Sequence, residues 1–405
     1  MKVYIAPSGM GLGHVTRSSS IAKELNKKGA DTLFSTYLDG IDYVRKMGFK
    51  LKEAKPITYQ ASKDGSVDFK KTATNSGFTL GIHRFMKQVI REIQNIGSYD
   101  PDVIFSDSRA STIIAAKLLR KPIILLLNQF RIEIIGKPKE KLKFFDMVFF
   151  TIANFFWIFA RTLISGVWMW SDYILIPDYP APYTISIKNL RMPKRFRKKV
   201  KLIGPIISTK PMNLPDVRDI RKDFGFEFKK PLIYAAISGP GKERFYLIEK
   251  LSNILQILPN NYQIILTKGS PGLKSKSIKK KHVIFYNWVD EVEQSMLLKA
   301  SDAIISRAGH GIITKSLAYG KPLILIPIPN QTEQYGNAFR AKELGVAEVI
   351  EQHELDEINL KQSIDVVINS DFYNNAKKFS KAASINDGVG FATDLIIKVA
   401  NSTKR

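Results

Sequence analysis

Two short apolar runs, Val3-Tyr-Ile-Ala6 and Pro231-Leu-Ile-Tyr-Ala-Ala-Ile237, each break into a glycine turn and then into a segment of helical spacing. A strand that enters a glycine turn and opens a helix begins a βαβ unit, and such units stack into a parallel sheet covered by helices. Further strands are predicted over 31–36, 101–106 and 122–127, with a helix over 110–119. The pattern restarts after about residue 205, with strands over 262–267, 282–285, 302–306 and 322–326. The chain has 405 residues, more than one ordinary core and enough for two domains of about 200 residues each. The predicted fold class is α/β, two doubly wound Rossmann-like domains facing across a cleft. Gly204-Pro-Ile-Ile-Ser-Thr-Lys-Pro211 serves as linker. Ligands sit at the C-terminal ends of strands in such sheets, so the cleft has room for two substrates.

The first turn reads Pro7-Ser-Gly-Met-Gly-Leu-Gly-His-Val-Thr-Arg-Ser18. A dinucleotide fingerprint needs glycine at its first, third and sixth positions. Counting from Gly9 the sixth position is His14, and from Gly11 it is Thr16. No Gly-Lys-Ser/Thr of a P-loop is present either. What remains is a flexible turn, built with Gly11 and Gly13, that sets one imidazole at the start of a helix. The positive helix end favours the neutral ring, the state a general base requires. A histidine that only caps the turn is the plainer reading. Asp107 follows the strand at 103–106 and is the candidate orienter of His14, unless it merely caps the next helix.

The second half carries Ser306-Arg-Ala-Gly-His-Gly-Ile-Ile-Thr-Lys315, a strand end, a turn of small residues and a helix start. Backbone N–H groups exposed at a helix N-terminus form an anion site, here around Gly309, His310 and Gly311. Arg307 adds a guanidinium suited to phosphate oxygens. After the next strand, Gln331, Glu333, Gln334 and Asn337 are packed into one loop and helical turn. Carboxylate and amide groups together suit the vicinal hydroxyls of a sugar.

These stretches together resemble the nucleotide-sugar site of GT-B glycosyltransferases. They are most similar to the N-acetylglucosaminyltransferase of peptidoglycan lipid intermediates and to plant UDP-sugar glucosyltransferases. The spacing from Arg307 through Gly309, Gly320 and Pro322 to Glu333-Gln334 and Asn337-Ala338 carries the likeness, together with the opening glycine loop. The resemblance implies that His14, steadied by Asp107, is the base toward the acceptor. It implies that Arg307 and 309–311 meet the diphosphate, with the turn of Gly239, Lys242 and Arg244 closing over it. Glu333, Gln334 and Asn337 would grip the donor sugar, and Trp288 and Val289 would cover the nucleotide base. The reaction implied is an inverting, one-step transfer of a hexose or N-acetylhexosamine from a UDP-sugar. No bound metal or other cofactor is expected, since no Asp-x-Asp pair is placed to demand one. The domains expected are 1–207 for the acceptor, 208–385 for the donor, and a last segment, 386–405, crossing back to the first. One position departs from the family: Lys315 stands where a glutamate usually holds the ribose, and a lysine cannot accept those hydrogen bonds.

Sixty-two Lys and Arg against 37 Asp and Glu leave a formal charge of +25, which attracts anionic partners of several kinds. Without cysteine there is no zinc finger, thiolate metal site or disulfide framework. No aromatic-basic signature of an RNA-recognition sheet is present, so nucleic acid is not the expected partner. The aromatic run Met147-Val-Phe-Phe-Thr-Ile-Ala-Asn-Phe-Phe-Trp-Ile-Phe-Ala160 lies within a segment, near 142–170, that breaks the strand–helix rhythm. Basic clusters at 137–143 and 191–201 flank it. It reads as a buried core helix, as an interfacial helix on an anionic membrane, or, carried through Arg161, as a membrane span. The second reading implies a lipid or polyprenyl-linked acceptor, and a cytoplasmic protein peripheral on the inner face of the cell membrane. A nucleotide-sugar 2-epimerase and a non-catalytic, membrane-bound GT-B-like subunit remain the alternatives.

Overall fold

The computed structural model describes residues 1–57, 78–130, 162–190, 194–239, 241–270 and 277–402. The aromatic run at 147–160 lies outside them. The first sheet is parallel throughout, in the order β3-β2-β1-β4-β5-β6-β7. Its strands are β1 (Lys2–Pro7), β2 (Asp31–Thr36), β3 (Lys50–Glu53), β4 (Val103–Asp107), β5 (Ile123–Leu126), β6 (Tyr173–Ile176) and β7 (Val200–Leu202). Helices α1 (Gly13–Lys27), α2 (Asp39–Lys46), α3 (Phe78–Tyr99) and α4 (Ala110–Leu118) belong to this domain. β4 and β5 are buried at every residue, as befits parallel strands covered on both faces. β3, Lys-Leu-Lys-Glu, is an exposed edge strand whose alternating charges give no apolar signal, and it escapes prediction from sequence.

The second sheet repeats the plan in the order β10-β11-β9-β8-β12-β13-β14. It comprises β8 (Leu232–Ala236), β9 (Gln263–Thr267), β10 (Ser277–Lys280), β11 (Val283–Tyr286), β12 (Ala303–Ser306), β13 (Leu323–Leu325) and β14 (Ala347–Val349). Only β10 runs antiparallel to its neighbour, at an edge that Lys279 and Lys280 keep charged. The helices are α5 (Val217–Asp223), α6 (Gly241–Ile257), α7 (Glu291–Ala300), α8 (His310–Ala318), α9 (Thr332–Glu343), α10 (Glu357–Asn369), α11 (Phe372–Ile385) and α12 (Gly388–Ser402). α12 leaves this domain and packs on α1 and β4.

In each sheet the strand order reverses beside the first strand, and that switch point opens a crevice for ligand. Pro7 pairs with Asp107 across β1 and β4, and Ala236 with Ser306 across β8 and β12. Residues of both glycine turns line one cavity between the sheets.

The packing boundary differs from the expected division at 207. Between β6 and β7 the chain makes an excursion into the second domain. Tyr179 and Ile185 join that domain's core. The Tyr179 hydroxyl donates to the Thr314 carbonyl at 2.7 Å, and its ring meets Phe379 edge-on. Arg340 ties the same excursion by donating to the carbonyls of Pro182 and Thr184. Near the aromatic segment, Trp168 is a core residue packed on Phe130, whereas Trp170 is half exposed.

Candidate active site

The cleft between the two sheets holds a cavity of about 530 Å³, the size of a small-molecule site. Its first wall is the opening glycine turn. Gly11 takes a positive φ of 70°, which glycine adopts without steric cost. Gly13 only begins α1, with open space where a Cβ would be. Gly9, not singled out by sequence, is the packing glycine: a Cβ there would lie 1.7 Å from the Tyr37 carbonyl oxygen. The turn delivers His14 into the cavity wall, with Nδ1 2.8 Å from Oδ1 of Asp107. The expected pair is thus brought together, although 93 residues separate its members. Asp107 is fully buried behind the ring. Burial alone would raise its carboxyl, but the charges and hydrogen bonds of Arg17 and His14 prevail and hold it well below the usual carboxylate range. Arg17, which sequence reasoning passed over, grips both carboxylate oxygens at 2.5 Å. Its three-residue spacing from His14 on one helix was the available signal.

The second wall is the N-terminal end of α8. Gly309 caps the helix, and both Gly309 and Gly311 face open space where side chains would be. Backbone N–H groups are therefore accessible to an anion. Gly239, at a φ of 136°, lines the same end. The His310 ring does not point there: Nε2 lies 3.0 Å from Oδ2 of the buried Asp178. Arg307 lines the cavity yet is buried and donates to the carbonyls of Glu243, Ile326 and Pro327. It braces the strand end rather than reaching out. Arg244 corrects an expectation: it donates to the Gly239 and Gly269 carbonyls, tying two turns together, and does not line the cavity. The side chain of Lys242 lies outside the described residues.

At one end of the cavity, Glu333 accepts a hydrogen bond from Asn128 of the first domain at 2.5 Å. Gln334 lines the cavity while its Oε1 caps the Ile328 N–H. Asn337 is a second correction. It is fully buried, donates to the Ala308 carbonyl and accepts from Asn189, so it braces two loops and touches no ligand space.

At the opposite end Trp288 and Val289 line the cavity, but Trp288 also spends its ring on the first domain, edge-on to Tyr43. The next residues form a cluster the sequence did not reveal. Glu291, on the first turn of α7, accepts from Ser20 at 3.1 Å and pairs with Lys23, both on α1. Lys315 donates to Gln294 at 3.0 Å. Burial would raise the Glu291 carboxyl, but Lys315 and Lys23 lower it and keep it ionised. Burial pushes the Lys315 amine down, against the pull of Glu291. The charge of a carboxylate on another helix therefore acts on Lys315. Among the described residues no group of three or more metal-ligating side chains is present.

Two doubly wound parallel sheets meeting in this cleft make the GT-B fold, and matches to glycosyltransferase models in each half mark the chain as a glycosyltransferase. Residues 243–389 match the glycosyltransferase family 28 C-terminal domain, and residues 1–155 match a glycosyl transferase family 1 domain. A glycosyltransferase of Methanosarcina acetivorans is 27% identical over 405 residues, 96% of each chain. The UDP-N-acetylglucosamine–N-acetylmuramyl-(pentapeptide) pyrophosphoryl-undecaprenol N-acetylglucosamine transferase of Clostridium botulinum is 24% identical, over 98% of this chain and 99% of that one. Among solved structures, the calicheamicin glycosyltransferase CalG4 superposes with a TM-score of 0.65 at 14% identity, over 98% of both chains. MurG of Acinetobacter baumannii gives 0.55 at 15% identity, over 98% of this chain and 99% of that one.

Proposed function

We propose that the protein transfers a hexose or N-acetylhexosamine from a UDP-sugar to a hydroxyl of a lipid or polyprenyl-linked acceptor, with inversion. One observation carries this reading: His14, backed by the buried Asp107, and the open N-terminus of α8 line the same cavity from opposite domains. In the reaction the acceptor oxygen gives its proton to Nε2 of His14 and bonds to the anomeric carbon. The bond from that carbon to the diphosphate breaks, and its electron pair leaves with the diphosphate. The N–H groups at Gly309–Gly311 meet the growing charge from fixed positions, which lowers the barrier without reorganisation. Arg307 supplies positive charge from beneath. Glu333, Gln334 and Asn128 address the sugar hydroxyls. Glu291 and Lys315 hold the ribose as acceptor and donor, in place of the usual single glutamate.

The membrane partner is supported by α3. Ile82, Met86 and Ile90 are each about half exposed and form one stripe. Arg84, Lys87 and Arg91 are exposed beside it. An apolar stripe next to a basic one suits an anionic bilayer surface. Among the described residues no helix is long and apolar enough to cross a membrane.

Calorimetric titration with UDP, GDP, CDP and dTDP tests the donor. UDP alone should bind, and His14→Ala should keep that affinity while losing release of UDP from UDP-N-acetylglucosamine. No nucleotide binding to folded protein refutes the reading. Phosphatidylglycerol vesicles should sediment the protein at low salt, and Met86→Asp with Ile90→Asp should abolish this.

A further inference from the structure

We infer that Arg17 is the positioning residue of the His14–Asp107 pair, fixing which ring nitrogen carries the proton and preventing the carboxylate from turning or taking that proton itself. This rests on the reading of His14 as base. His14 and Arg17 lie one turn apart on α1 and converge on the same carboxylate at the end of β4. Nε of Arg17 meets Oδ2 and Nη2 meets Oδ1, each at 2.5 Å, a two-pronged contact that only a guanidinium can make. Ser108 donates to Oδ1 at 3.0 Å, and Ser18 approaches Oδ2 at 3.4 Å. Both oxygens are occupied, inside a wall that solvent does not reach.

The proton's position follows. A carboxylate oxygen and a ring nitrogen 2.8 Å apart repel as two lone pairs unless a proton lies between them. Asp107 brings none, because Arg17 holds it ionised. The proton therefore sits on Nδ1, and the lone pair remains on Nε2, the atom available to a substrate. The 3.0 Å contact of Nη2 with Nδ1 is then two donors aimed at one oxygen. An aspartate plane turns easily about its terminal torsion. Without the fork the carboxylate loses its fixed orientation and the ring its fixed tautomer. A carboxylate so occupied is also no destination for the reaction proton, which stays on His14 and leaves through the cleft. His14 is 27% exposed and Asp107 not at all.

The test uses full-length wild type, Arg17→Gln, Arg17→Lys and His14→Ala, with two readouts. The chain has five histidines, so nitrogen-15 spectra of histidine-labelled protein are simple, and His14→Ala assigns the ring. Wild type should show His14 as the single Nδ1–H tautomer, and Arg17→Gln a mixture. Arg17→Lys keeps the charge without the fork, and it keeps the experiment decisive if Arg17→Gln does not fold. It should also show a mixture. UDP release from UDP-N-acetylglucosamine should fall about 10- to 100-fold in both, the range for a displaced catalytic group. UDP affinity, which depends on the other domain, should stay within about twofold of wild type, whereas general unfolding would lower it too. A wild-type tautomer and rate in either folded Arg17 variant overturns the inference alone. An active His14→Ala overturns it together with the base reading.

Discussion

Replacing Glu291 by glutamine tests whether the nucleoside end of the cleft recognises a ribose. The carboxylate is tied to Ser20 and Lys23 of one domain and feels the charge of Lys315 of the other. A ribose hydroxyl bonded to a charged, half-buried group contributes about 1.5–3 kcal/mol. Removing the 2′-hydroxyl from UDP should therefore weaken binding about 10- to 100-fold in wild type. Glutamine offers only a neutral acceptor, worth about 0.5–1.5 kcal/mol, so the preference should shrink to about 2- to 10-fold. The substitution also leaves Lys23 and Lys315 without their shared counter-charge, which loosens both domains for any nucleotide. The ratio of the two affinities cancels that common loss. The assay is a four-way titration: UDP and 2′-deoxy-UDP, each on wild type and Glu291→Gln. A preference equal in both proteins would refute the assignment and return the ribose to Lys315 alone.

Arg307→Met should cost about 2–4 kcal/mol, since three buried carbonyls lose their donor, and lower Tm by roughly 5–15 °C. An unchanged melting curve with UDP binding abolished would instead make Arg307 a phosphate ligand. Gly9→Ala should fail to accumulate as folded protein or melt much earlier, because its Cβ cannot coexist with the Tyr37 carbonyl; a wild-type melt contradicts the close approach. Asp107 carries a depressed carboxyl, so its charge stabilises the fold fully above the unfolded value of about 4 and progressively less as pH falls below it. The Tm difference between wild type and Asp107→Asn should accordingly be constant from pH 7 to 5 and narrow below pH 4. A gap that stays constant down to pH 3 would mean the pair is not ionic.

The sheets were legible because parallel strands buried on both faces are continuous apolar runs, and the turns because glycine is needed where backbone approaches backbone. His14 and Asp107 each stand at a strand end in the sequence, so Asp107 is a candidate orienter, but only the pairing of β1 with β4 brings the two together. What stayed hidden depends on contacts between distant segments. Asn337 shares the sugar-site stretch with Glu333, yet only its neighbours Asn189 and Ala308 reveal it as a brace. Glu291 reads as the first residue of a capped helix, and its role depends on α1, some 270 residues earlier. Arg244 has the right charge in the right turn, but two carbonyls claim it. β3 and β10 are short exposed edges, where hydrophobic pattern carries nothing.

The excursion between β6 and β7 bears on how such enzymes are recombined. A hybrid made by joining halves at residue 207 would give the second domain a foreign Tyr179 and Ile185, and would ask a native core to close around them. The workable unit of exchange is discontinuous: the second domain together with its borrowed loop, and without the final helix. A second domain moved in that form keeps its own packing, and the first domain keeps the helix that seals it.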